Sequence, residues 1–105
     1  MTKRIIDGKR YDTDTAQEVL GVGSRPGTSR TDFGYWEATL YRTPRGRWFL
    51  DGTGGGMSMF AEAVGGGGST DGSGIIPIPY WEAQRYLEAD GNIEALEKWF
   101  TIEDA

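Results

Sequence analysis

The sequence predicts an α+β domain, a small antiparallel sheet built on hairpins and packed with a short helix and two C-terminal helices. Three observations carry this. Two tight-turn signatures, Asp7-Gly8 and Thr43-Pro44-Arg45-Gly46, each join short runs of strand character, and an Asp-Gly pair suits a two-residue hairpin because both turn positions need positive φ. The last 26 residues switch from period two to helical spacing. No βαβ unit repeats, which argues against a parallel nucleotide-binding sheet.

Taken in order, "KRIIDGKRYD" reads as a two-stranded ribbon, Lys3 to Ile6 and Lys9 to Tyr11. "DTDTAQEVLG" then has the marks of a two-turn helix: Asp12 or Thr13 as cap, early carboxylates, Ala16, Val19 and Leu20 on one side, and Gly21 to stop it. Residues 21–34 are rich in Gly, Ser, Thr and Pro and read as a polar loop. "YWEATLYR" and "RWFLDG" flank the Pro44 turn, with Trp36, Ala38 and Leu40 alternating onto the face shared by Trp48 and Leu50. This hairpin is expected at the centre of the sheet.

The stretch Asp51 to Gly74 holds ten of the seventeen glycines around one apolar island, Met57 to Val64. It reads as two connections around a short docked helix, with Gly52 to Gly56 a defined turn and Gly65 to Gly74 a loose loop within a single domain of residues 1–105. Ile75 to Ile78, interrupted by Pro77 and Pro79, is an edge strand or extended connection, because proline cannot donate to a ladder. Helices follow over "YWEAQRYLEAD", stopped by Gly91, and "NIEALEKWF", capped by Asn92. Their inward faces are expected to carry Tyr80, Ala83 and Leu87, then Ile93, Leu96, Trp99 and Phe100.

Composition narrows the function. With 105 residues, thirteen of them aromatic, the chain supports one modest core. It contains no cysteine, which suits a reducing cytoplasm, and no histidine, the side chain most used for proton transfer near neutrality. No apolar run has the length of a membrane span or a signal peptide, so no membrane contact is expected. Net charge is −5, and all of the excess lies at one end. Nine basic and nine acidic residues cancel over residues 1–79, whereas the remainder holds seven carboxylates against Arg85 and Lys98.

The motif search points away from catalysis, and neither a cofactor nor a metal is expected. Asp51 to Gly74 contains no lysine and lacks the G-x-G-x-x-G spacing, so it is neither a Walker loop nor a dinucleotide fingerprint. Gly54 to Gly56 ahead of the expected helix retains the option of an anion nest. Glu37 is expected in a cross-strand ion pair with an arginine. The serines have no histidine or Ser-x-x-Lys partner, and no acidic cluster has the spacing of a calcium loop.

Two charged surfaces remain. The acidic helical face, with Glu82, Glu88, Asp90, Glu94 and Glu97, suits a basic protein surface and can imitate the charge of a nucleic acid. Arg42, Arg45 and Arg47 at the hairpin tip form a second-choice contact surface, joined as a basic feature by Lys3, Arg4, Lys9 and Arg10 on the ribbon. A nucleic-acid-binding role for these hairpins is the alternative that the acidic total opposes.

The segments "IIDGKRYDTDTA", "DFGYWEATLYRTPRGRWFL" and "GGGMSMFAEAVG", followed by "IIPI" and "EAQRYLE", resemble a family of small proteins carried by bacteria, phages and mobile elements that includes anti-CRISPR proteins directed at type I systems. The likeness runs from Ile5 to Leu96 and places Gly54, Gly55, Met57 and Ser58 in a shared motif. It implies a non-enzymatic inhibitor, in the cytoplasm of a host bacterium, that binds a CRISPR effector complex and blocks DNA recognition or nuclease recruitment, with no direct nucleic-acid contact. A generic interaction or regulatory module of a mobile element is the reading without a CRISPR target.

Overall fold

In the computed structural model, residues 2–24, 33–63 and 68–105 are described. The chain opens with β1 (Lys3–Ile6) and β2 (Lys9–Asp12), an antiparallel ribbon whose turn carries Asp7 and Gly8 at φ 53° and 75°. Four strands form the main sheet: β3 (Gln17–Gly23), β4 (Trp36–Arg42), β5 (Trp48–Gly54) and β8 (Gly72–Ile78), in the order β3-β4-β5-β8 and antiparallel throughout. A minimal pair, β6 (Glu62–Ala63) with β7 (Ser69–Thr70), sits between β5 and β8 in the chain. Two helices close it, α1 (Tyr80–Asp90) and α2 (Ile93–Trp99). The α+β class is therefore observed, with the central hairpin, the edge position of Ile75 to Ile78 and both C-terminal helices where the sequence puts them.

The β4–β5 hairpin forms for the expected reasons. Gly46 N–H donates to Thr43 O (2.9 Å), closing the turn that Pro44 pre-sets, and Leu40 faces Leu50 while Arg42 faces Trp48. That face receives the helices. Leu40, Trp48, Leu50 and Phe60 pack with Ala83, Leu87, Ala95 and Leu96 in one cluster, rimmed by Leu20, Val22, Trp36 and Tyr86. Trp48 is held between Phe100, stacked at 5.6 Å, and Trp99, edge-on at 5.6 Å. Asn92 caps α2 by accepting from Ala95 N–H (3.1 Å), and Gly91 ends α1 in the left-handed conformation at φ 76°.

Among the described residues the opposite face is covered only in part. Tyr11 from the ribbon meets Phe49 edge-on at 5.6 Å, Phe49 stacks on Tyr41 at 5.1 Å, and Ile75 completes a second, smaller cluster. Arg4 donates to Ile75 O (3.3 Å), tying the ribbon to β8.

Several expectations are corrected. Residues 17–23 form a strand, not the second half of a helix. The capping signal is real but is used up in a turn: Asp12 Oδ1 accepts from Asp14 N–H and Asp12 O from Ala16 N–H. Val19, Leu20 and Val22 then complete β3, shifted by a bulge between Glu18 and Leu20, and Gly21 and Gly23 belong to the strand rather than to a loop. Residues 25–32 of the expected loop lie outside the described residues.

The island after Gly56 is likewise no helix. Ser58 N–H and Oγ both donate to Gly55 O (3.0 and 2.7 Å), Ala61 N–H returns to Ser58 O, and the chain enters β6. Met57 is 80% exposed and, among the described residues of the island, only Phe60 joins the core. A segment so short cannot repay helix nucleation without a packed face. Gly52 and Gly54 are strand residues of β5, required by close approach: a Cβ on Gly52 would overlap Glu37 O and Ala38, and one on Gly54 would overlap Ser58. Of the stretch 64–74, residues 64–67 lie outside the described residues, Ser69–Thr70 form β7, and Gly72 to Gly74 pair with β5. Tyr80 and Ile93, expected inside, are each 66% exposed, and Ala95 takes the inward position.

Candidate binding surfaces

The carboxylates chosen from the sequence do not form one row. At about 100° per residue, the two-position step from Glu88 to Asp90 places them on nearly opposite sides of α1. Glu88 points to solvent, where it accepts from Gln84 Nε2 (3.1 Å), while Glu82 is half-buried in the first turn. Asp90 ends α1, and Glu94 opens α2 just past the Gly91-Asn92 corner. Glu94 and Glu97, three residues apart, share one exposed side. The fold thus gathers Asp90, Glu94 and Glu97 at one corner, keeps Glu88 nearby on the outer surface, and leaves Glu82 apart.

The three arginines of the hairpin divide as well. Arg42 points to the helical face, its guanidinium 5.3 Å from the Trp99 ring and 6.0 Å from Trp48, with Nε buried and without a hydrogen-bond partner. It is a packing cation. Arg45 and Arg47 are exposed at the tip.

There they meet the other basic segment. Gly8, Lys9 and Arg10 from the ribbon and Thr43, Pro44, Arg45 and Arg47 from the hairpin tip line one cleft of about 470 Å³. Sequence reading treats these as two patches, because 34 positions separate Lys9 from Thr43. The signal that links them is that each pair of cations sits at a tight turn, and the packing of Tyr11 on Phe49 brings the two turns side by side.

A larger cleft of about 750 Å³ lies between Phe33, Tyr35, Glu37, Glu62, Asp71 and Ser73. Tyr35 Oη donates to Glu37 Oε2 (2.9 Å). The cross-strand neighbours of Glu37 are Thr53 and Gly23, so the expected cross-strand arginine is not opposite it. Among the described residues no three His, Cys, Asp or Glu side chains converge as a metal-binding group, and no helix is long and apolar enough to cross a membrane.

Comparison of the chain with protein-family models, curated proteins and solved structures finds no match.

Proposed function

We propose that this chain is a non-enzymatic binding domain that inhibits a CRISPR effector complex, docking the acidic surface of α1 and α2 onto a basic groove of the effector and blocking DNA recognition or nuclease recruitment there. The observation that supports a binding role is the segregation of charge. Glu88, Asp90, Glu94 and Glu97 are exposed on the helical layer, while Lys9, Arg10, Arg45 and Arg47 gather around the ribbon on the other side of the sheet. Separated fields of this kind orient a protein as it approaches a charged partner and raise its association rate. The resemblance in sequence, not the geometry, supplies the identity of the target.

The test is capture of purified type I effector complex by the tagged protein, paired with a plasmid-interference assay. Reversal of Glu88, Asp90, Glu94 and Glu97 to lysine removes capture and restores interference, with the thermal transition of the variant retained. Undiminished inhibition by that variant rejects the acidic surface as the contact. Intact interference in the presence of the unaltered protein rejects the CRISPR target and leaves a mobile-element interaction module.

A further inference from the structure

The basic cleft goes beyond the inhibitor reading and does not rest on it. Four cations, Lys9, Arg10, Arg45 and Arg47, line a concave space to which no carboxylate among the described residues contributes; Asp7, next to Gly8 in the turn, stays out of the lining. Both walls are rigid turns. On one side Asp7 and Gly8 close a hairpin with positive φ at both positions. On the other, buried Thr43 donates N–H to Arg47 O (2.8 Å) while its Oγ1 accepts from Arg47 N–H (3.0 Å), fixing the strand from which Arg47 projects. Cations held on such turns lose little backbone freedom on binding an anion.

We propose that this cleft grips the phosphodiester backbone of a double-stranded nucleic acid without reading its sequence. The choice of ligand follows from what lines the space. An acidic protein segment needs an apolar or aromatic anchor in a pocket to bind well, and among the described residues only Pro44 and Gly8 accompany the charged residues and Thr43. Backbone phosphates need no anchor, because released counterions supply the driving force. Among the described residues no aromatic ring lines the cleft, which gives no platform for stacking unpaired bases and sets a duplex ahead of a single strand. The net charge of −5 does not oppose this at physiological salt. Its excess lies in residues 80–105, which form α1, α2 and the tail after them and supply no residue to the cleft, and salt screens exposed charges more than about 8 Å apart.

The experiment is fluorescence-anisotropy titration of a labelled duplex DNA across a salt series. With four phosphates engaged, the slope of log K against log salt is about −3.6, and affinity falls roughly 150-fold between about 50 and 200 mM salt. The Arg45→Gln/Arg47→Gln protein retains its thermal transition and its capture of effector, while its slope falls to about −1.8 and its salt loss to roughly 12-fold. A Lys9→Gln/Arg10→Gln protein reproduces that change from the opposite wall. Failure to bind duplex at low salt, a slope untouched by either double variant, preference for the single strand, or binding of poly-L-glutamate in place of duplex would each overturn the proposal. Effector capture is read separately, so either proposal can fail while the other stands.

Discussion

The two faces of the four-stranded sheet bury adjacent residues of the same strand to different ends. On β5, Leu50 turns toward the helices and Phe49 toward the ribbon, and both are 0% exposed. Leu50 enters a cluster fed by every strand of the sheet and both helices, whereas Phe49 enters one supplied mainly by Tyr11, Tyr41 and Ile75. The helical face therefore holds the domain together. The ribbon face fixes one small element, and with it the geometry of the basic cleft; among the described residues the rest of its surface, from Gly21 to Thr53, is left open. A domain can carry a binding feature on a lightly packed face when the other face supplies most of the stability.

Truncation of these neighbours gives the largest expected effect. Leu50→Ala loses about 2 to 5 kcal/mol and Phe49→Ala about 3 to 5, each a large part of the 5 to 15 kcal/mol that holds a typical domain folded. The totals are similar, and their distribution differs. Amide exchange in Phe49→Ala accelerates first in β1 and β2, because the ribbon loses its anchor, while in Leu50→Ala it accelerates in α1, α2 and the sheet together. Unchanged protection of the ribbon in Phe49→Ala would show that Phe49 does not hold it.

The same contrast explains what the sequence discloses. Elements with a local signal are legible: Asp7-Gly8, Pro44 to Gly46, Asn92 and Gly91 each encode a turn or cap in two or three residues, and both hairpins and both C-terminal helices follow from them. β3 is illegible because its capping signal at Asp12 is genuine, and only the edge of β4, supplied by residues 36–42, makes extended pairing preferable to a second helical turn. Glycine misleads in the same way. A run of glycines reads as a turn, but Gly52 and Gly54 serve the approach of β4 and of Ser58, partners invisible in one dimension. Of the candidate surfaces, Arg45 and Arg47 are legible, Arg42 is not, and the cleft depends on a tertiary contact between two turns.

Glycine also permits a finer comparison of the faces. Gly52 lies on the helical side opposite Ala38, and alanine there forces the two strands apart, a loss of about 1 to 3 kcal/mol. Gly21 lies opposite Thr39 on the open side, with no described atom within 4 Å of a built Cβ and no positive φ. Gly21→Ala is therefore expected to stabilise by about 0.4 to 1 kcal/mol, by restricting the unfolded chain. Urea midpoints of the two variants should move in opposite directions. Movement in the same direction would mean that the open face is covered in solution.

The smallest effect separates the faces by charge. Tyr41, beside Phe49 on the ribbon face, and Tyr86, beside Trp36 on the helical face, are partly withdrawn from water, and burial raises both pKa values above the ordinary 10.0. The secondary causes differ: carboxylates Glu18 and Asp51 push Tyr41 further up, whereas at Tyr86 the push from Glu82 is opposed by Arg85. The folded chain holds these two protons more tightly than the unfolded chain. Their contribution to stability is thus complete below the unfolded value and is lost as pH rises through the folded values. Ultraviolet titration of the phenolate band should show late steps at Tyr41 and at Tyr86, the first removed by Tyr41→Phe and the second by Tyr86→Phe. Asp51→Asn shifts only the first of them downward, because Asp51 faces the ribbon side opposite Thr39 and acts on Tyr41 alone. A shift of both steps would show that the sheet does not insulate one face from the other.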